Sequence, residues 1–241
     1  MNITVINGTE KHGITYNIKE MFLEPFRQTA TITEFYLPKD CPNFCIGCTT
    51  CFTKDEILCK DADYIQKIEK SLLQADLIVF ASPAYVMHTT GALKNLLDHF
   101  GYRWMPHRPA KEMFTKRAVI LTQCLGAGAK STAKDIRDSL SWWGISKIKV
   151  FTAKLMQDIV WDNLSEKKRN SITKNIKRLS KKFKKIDYSK PTKTRSMTKI
   201  KFNICRIIQK SIRAKNIESA DCKYWEQNGW LKNNRPWKRI K

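Results

Sequence analysis

Five of the eight cysteines of this 241-residue chain crowd into one short stretch, as Cys41, Cys45, Cys48, Cys51 and Cys59. Three thiols two residues apart with a fourth close behind let one loop wrap around a compact inorganic core, which favours a 4Fe–4S cluster on Cys45, Cys48, Cys51 and Cys59, with Cys41 outside the set. Structural zinc more often uses two separated pairs. Thiols that hold no metal and simply pack are the third reading, and the spacing alone leaves it open. A second stretch with chemical potential is Gly8-Thr9-Glu10-Lys11-His12-Gly13-Ile14-Thr15, directly after the β-branched run Ile3–Asn7. At the carboxyl end of a strand, such a turn aims backbone N–H groups and a helix N-terminus at one point, which suits a phosphate. Its spacing is neither the dinucleotide nor the nucleoside-triphosphate glycine motif, so a plain βα connector competes with a phosphate cradle.

The elements that must position these stretches alternate. The run Ile3–Asn7 reads as a strand buried on both faces, and helical periodicity follows from Thr15 to about Phe26. Thr31–Leu37 is a second strand, ended by Pro38, and Leu77–Ala81 a third, with Ser82–Val86 as the loop at its end. Helices are expected near Asp61–Leu73, Thr89–Phe100 and Ser131–Trp143, the last stopped by Gly144. Arg117–Thr122 and Ser146–Thr152 supply strands four and five, with Gln123–Gly128 as the loop after the fourth. Alternating strands and helices predict a parallel sheet with right-handed crossovers, in which the loops after strands one, three and four share the carboxyl edge where ligands bind.

Charge divides the chain. Of a formal net charge of +23, residues 161–241 carry 25 basic and 6 acidic side chains, a balance of +19. The reading is a globular unit over 1–155 and a basic, mainly helical extension over 156–241. In the extension, Ile172, Ile176, Leu179, Phe183 and Ile186 mark one amphipathic helix and Ile200, Ile204, Ile207, Ile208 and Ile212 another, joined by a linker from Tyr188 to Ser196. The basic faces are read as solvated on helices that pack through their isoleucines, with docking on an acidic partner or an anionic membrane surface as the alternative and nucleic acid disfavoured for want of a recognised motif. No apolar run is long enough to span a bilayer and no signal sequence opens the chain, so a cytoplasmic location is expected, where cysteines serve as ligands, redox groups or core packing.

With the loops, their order and the cysteines in hand, the first 155 or so residues resemble the flavodoxin-like NAD(P)H-dependent FMN reductase family, including its iron–sulfur flavoprotein branch. The resemblance rests on Asn7-Gly8-Thr9, the Cys45–Cys59 segment after strand two, Ala75-Asp76 before strand three, Ser82-Pro83-Ala84-Tyr85, and Gly91-Ala-Leu-Lys94; the ending Tyr224-Trp225 through Gly229-Trp230 also looks like the tail of some members. It implies a doubly wound five-stranded fold and bound FMN, with NAD(P)H as cosubstrate, a small-molecule electron acceptor and a homodimer. By the same resemblance Thr9, Lys11, Gly13, Ile14 and Thr15 hold the flavin phosphate, Pro83, Ala84, Tyr85 and Val86 lie along the isoalloxazine, and Gln123 and Gly126 close its other side. Glu10 stands where the family often has Pro and is unhelpful beside a phosphate unless turned away. Many chains of this kind keep a similar cysteine loop without a cluster, its thiols lining the substrate side of the flavin. Electron transfer without nicotinamide turnover, and a flavodoxin-like scaffold with a docking tail, are the rival functions.

Overall fold

The computed structural model describes residues 1–156 and 160–238. Five parallel strands, β1 (Asn2–Asn7), β2 (Thr31–Tyr36), β3 (Leu77–Pro83), β4 (Arg117–Leu125) and β5 (Lys147–Leu155), lie side by side in the order β2-β1-β3-β4-β5. That is the flavodoxin-like order, in which the winding reverses between β1 and β3 and opens a crevice at their carboxyl ends. Every residue of β3 is buried, as its unbroken apolar run requires of a strand covered on both faces.

The helices are α1 (Ile14–Leu23), the single turn α2 (Thr50–Thr53), α3 (Ala62–Gln74), α4 (Gly91–His99), α5 (Ala129–Trp142), α6 (Glu166–Lys184), α7 (Ser196–Ala214) and α8 (Ala220–Gln227). Strand side chains alternate between two cores. Ile6, Ile78, Phe80 and Ile120 meet Ile65 and Ile68 of α3, Leu93 and Leu96 of α4, and Ile136 and Leu140 of α5. Ile3, Val5, Val79 and Val119 meet Ile18 and Phe22 of α1 and Ile172, Ile176, Leu179 and Phe183 of α6. The change in composition near residue 155 therefore coincides with no gap in packing, because α6 covers the α1 face of the sheet. A third core joins Phe202 and Cys205 of α7 and Trp225 of α8 to Met105, Phe114 and Trp230.

Three expectations are corrected. Strands β3 and β4 run past Ala81 and Thr122, since Ser82 pairs with Thr122 and Pro83 with Gln123; proline is tolerated there because a strand end needs no further ladder donor. The 188–196 linker is laid down on the fold, with Thr192 donating its N–H to Thr115 O (2.9 Å) and Thr194 Oγ1 donating to Phe114 O (2.9 Å). In α7 the isoleucines do not pack: Ile200, Ile204, Ile207 and Ile208 are exposed, and the buried line is Thr198, Phe202, Cys205 and Gln209. Phe202 decides the rotation, because one aromatic ring stacked on Trp225 at 4.7 Å and edge-on to Phe114 and Trp230 gains more contact than an isoleucine at that point.

Candidate functional site

The turn after β1 is fixed at both ends. Gly8 donates its N–H to Ala81 O (2.8 Å) and accepts from Thr90 Oγ1 (2.6 Å). A Cβ on Gly8 would stand 2.6 Å from Ser82 Oγ, so only glycine lets β1 and β3 close this tightly at the switch point. Helix α1 begins without a side-chain cap and with no acidic residue in its first turn, leaving its amino-terminal N–H groups and positive dipole end open to an anion. Thr15 Oγ1 is buried there and finds no hydrogen-bond partner among the described residues, and the same holds for Gln123 Oε1 at the end of β4. Both residues stand beside the bare helix start, where their oxygens are free to hydrogen-bond a ligand. Glu10 is turned away, accepting the Lys39 N–H (3.2 Å).

These residues enclose one cavity, lined by Thr9, Lys11, Gly13, Ile14, Thr15, Pro83, Tyr85 and Gln123. Ala84, Val86 and Gly126 are not among the residues that line it. Tyr85 and His88 exchange both backbone hydrogen bonds (2.8 and 3.0 Å), forming a two-residue turn whose tip is Val86 and Met87, at φ +45° and +69°. A β-branched residue in the left-handed region is strained, and such strain persists where the surroundings enforce it. Here Ser131 Oγ donates to Met87 O, and Asp135 accepts from both His88 Nδ1 (3.0 Å) and the Thr89 N–H (3.1 Å). Gly128, at φ +102°, passes so close that a Cβ would lie 2.9 Å from Met87 Cα. Tyr85, Val86, Met87 and Leu125 present an exposed apolar margin.

The cysteine loop forms a second cavity, lined among others by Cys45, Cys48, Cys51, Cys59, Asp61 and His99. Asn95 of α4, which is buried, pins the loop: its Oδ1 accepts the Cys45 N–H (2.9 Å) and its Nδ2 donates to Asn43 O (2.8 Å). Arg108, also buried, donates to Cys51 O and pairs with Glu56 (3.1 Å) and Asp221 (3.0 Å). Burial pushes the Cys51 thiol up, and the neighbouring Cys59, Cys45 and Cys48 push it further. Cys48 is lowered by hydrogen bonding to Thr50. Cys41 is buried and pushed up to about 11, mainly by burial, and stays a protonated thiol at neutral pH. Among the described residues the ligand atoms of Cys59, Asp61 and His99 lie within 4.8 Å of one another, but no three of the cysteines do; tetrahedral zinc with about 2.3 Å bonds would need sulfurs about 3.8 Å apart.

With that geometry in place, comparison with known proteins is decisive for the family. The profile of the NADPH-dependent FMN reductases matches residues 1–156. The chain belongs to that family. Two similar curated relatives are each called an iron–sulfur flavoprotein. One, from Archaeoglobus fulgidus, is 31% identical over 99 residues, covering 41% of this chain and 48% of the relative; the other, from Clostridioides difficile, is 32% identical over 104 residues, covering 41% and 45%. This FMN reductase family member thus spans about half the length of each of these curated relatives. Among solved structures it is similar to an azoreductase from Bacillus anthracis (TM-score 0.58, 14% identity, 76% of this chain and 100% of that one) and to an NADH:FMN oxidoreductase (TM-score 0.52, 16% identity, 75% and 89%). At such identities these show the fold.

Sequence reasoning missed several contributors in this family member. Either Thr89 or Thr90 could cap the helix that the sequence predicts there; Thr90 does, accepting the Leu93 N–H (3.2 Å), but its bond to Gly8 O across 82 positions carries no local signal. Asn95 and Arg108 act on the cysteine loop from distant segments, and Asp135 reaches the 85–88 turn from α5. Beneath the first loop, Lys19 is buried with its Nζ 2.6 Å from Glu34. Burial would lower its pKa, but bonds to Glu20, Glu34 and Tyr36 outweigh that and raise it. A lysine on an apolar helix face reads as exposed until β2 is seen to carry its partner.

Proposed function

We propose that this chain binds FMN, accepts hydride from NADH or NADPH, and delivers electrons to a small-molecule acceptor such as a quinone or a free flavin. The observation that carries the reading is the meeting of the bare α1 start, the orphaned Thr15 Oγ1 and the orphaned Gln123 Oε1 at the switch point of the sheet. FMN, when bound, supplies a flat ring that takes up hydride and gives up electrons singly or in pairs. Thr9 and Thr15 donate hydroxyls to its phosphate, Lys11 supplies positive charge, and Gly13 and Ile14 shape the amide cradle. Pro83, Ala84, Tyr85 and Val86 flank the ring, and Gln123 and Gly126 close its other side. The apolar margin of Tyr85, Val86, Met87 and Leu125 excludes water beside the ring and offers a surface for a second copy of the chain. No conspicuous general acid is needed for hydride transfer.

The second cavity supports a 4Fe–4S cluster held by Cys45, Cys48, Cys51 and Cys59. Its support is the gathering of those four cysteines around one cavity and the names of the two relatives. Among the described residues no helix is long and apolar enough to cross a membrane.

Fluorescence titration with FMN, followed by anaerobic stopped-flow mixing of the loaded protein with NADH and NADPH, tests the reading. Saturable quenching and bleaching of the flavin at catalytic rates are expected. Binding without bleaching by either nucleotide would leave an electron-transfer flavoprotein, and no binding would remove the flavin reading altogether. Iron and acid-labile sulfide, measured after anaerobic purification, decide the cluster.

A further inference from the structure

Helix α7 is amphipathic on two sides. Its inward line, Thr198, Phe202, Cys205 and Gln209, is buried against α8 and the Phe114 turn. Its outward line is Met197, Ile200, Ile204, Ile207 and Ile208, each between 48% and 68% exposed. At 3.6 residues per turn these five side chains form one stripe about 16 Å long. A single exposed isoleucine calls for no explanation, whereas a continuous line of them on a helix marks a surface that something covers.

The charge around the stripe says what covers it. Over its 19 residues α7 carries Lys199, Lys201, Arg206, Lys210 and Arg213 and no acidic residue. Lys193 and Lys215, both exposed, stand at its two ends, and residues 161–241 as a whole hold +19. A second copy docked helix on helix would satisfy the isoleucines but press two acid-free basic helices together. A nucleic acid would satisfy the lysines and leave the isoleucines in water. An anionic bilayer surface answers both, with apolar side chains sunk at the boundary between headgroup and acyl chain and cations at the level of the lipid phosphates. Lys201 is held at the edge of the stripe, its Nζ 4.4 Å from the Trp142 ring centre and donating to Ser141 Oγ (2.9 Å), while Lys193, Lys210 and Lys215 are exposed.

We infer that α7 is an interfacial anchor that lays its Met197–Ile208 stripe on an anionic phospholipid surface. This does not depend on the flavin reading. It adds a peripheral membrane site on the side of the molecule formed by α7, α8 and the segment around Phe114.

The test is sedimentation of the full-length protein with sucrose-loaded vesicles, either of phosphatidylcholine alone or with about 30 mol % phosphatidylglycerol. The wild type should pellet with the anionic vesicles, stay in the supernatant with the neutral ones, and be released in part at about 0.5 M salt. The variant I204S/I207S/I208S changes only exposed side chains and should keep its far-ultraviolet circular dichroism and melting temperature while binding at least tenfold more weakly. Equal binding of the variant would mean that charge alone acts and would overturn the anchor. So would failure of the wild type to pellet with anionic lipid, or a dimer in light scattering that the triple substitution dissociates.

Discussion

Replacing Thr15 by Val separates a ligand-binding hydroxyl from a structural one, because the two roles predict opposite signs. The Thr15 side chain is buried and its Oγ1 has no partner among the described residues. A buried hydroxyl without a partner costs about 1–3 kcal/mol, and an apolar replacement of the same shape removes that cost. The ligand-free variant should therefore unfold in urea at the same midpoint as the wild type or a higher one, with its m-value unchanged. With FMN the sign reverses. A hydrogen bond from a hydroxyl to a charged phosphate contributes about 1.5–3 kcal/mol, and its loss should weaken FMN binding about 10- to 150-fold. Fluorescence titration and urea melts of the same two proteins give both numbers. If Thr15→Val lowers the apo stability by more than about 1 kcal/mol, the hydroxyl has a structural partner. If instead the affinity for FMN is unchanged, the phosphate is not held at the start of α1. Either result refutes the reasoning.

Three further outcomes follow from the geometry. Lys19→Met removes the cation facing Glu34 and leaves it the Asn7 Nδ2 (3.2 Å) and Tyr36 hydroxyl (2.9 Å) donors, which should cost about 3 kcal/mol at neutral pH. Burial would raise the Glu34 pKa, but Lys19 lowers it, so the stability this pair contributes is complete above the ordinary value of 4.5 and is lost as pH falls through the lowered pKa; melting temperatures of wild type and Lys19→Met should converge below pH 4.5, and a constant gap would exclude the linkage. Cys51→Ala should abolish bound iron and sulfide, whereas Cys41→Ala, which removes a buried thiol pushed up to about 11, should leave iron per chain unaltered and cost its packing and the weak bond from Asn95 Nδ2 to its Sγ (3.8 Å), about 1 kcal/mol. Asp221→Ala leaves the Arg108 guanidinium buried with Glu56 as its remaining carboxylate partner; it should destabilise the chain by about 3 kcal/mol and speed iron release, as followed by the bleaching of visible absorbance under a chelator.

The alternation of buried runs and amphipathic stretches made the sheet legible, because a β-branched run such as Ile3–Asn7 or Leu77–Ala81 has no other stable place in a fold of this length. The loops at the carboxyl edge followed from topology, and the structure gathers Thr9, Lys11, Gly13, Ile14, Thr15, Pro83, Tyr85 and Gln123 around one cavity. What stayed hidden were partners separated by long stretches of chain: Thr90 for Gly8, Asn95 and Arg108 for the cysteine loop, Asp135 for the turn at Val86. Each is a polar residue on a helix or in a connector, and its partner is set by the crossovers rather than by anything nearby in sequence.

The basic segment shows the same limit from the other side. Periodicity finds an apolar line but cannot say whether the fold has a surface waiting for it. In α6 the line Ile172, Ile176, Leu179 and Phe183 meets the uncovered face of α1, and burial follows. In α7 the isoleucines have the equivalent spacing, but Phe202, stacked on Trp225, takes the surface that α8 and Phe114 offer, and four isoleucines are turned to the outside. A helix that buries its one phenylalanine but turns a methionine and four isoleucines outward, with no acidic residue along its length, is what the proposed lipid contact needs. Through α8 that helix is joined to the cysteine cavity, since Asp221 holds Arg108 and Arg108 holds the Cys51 carbonyl. The basic segment is thus packed on the body that carries the cysteine loop, through the apolar contacts of α7 with α8 and the Asp221–Arg108 pair, and is not a tail hanging apart from it.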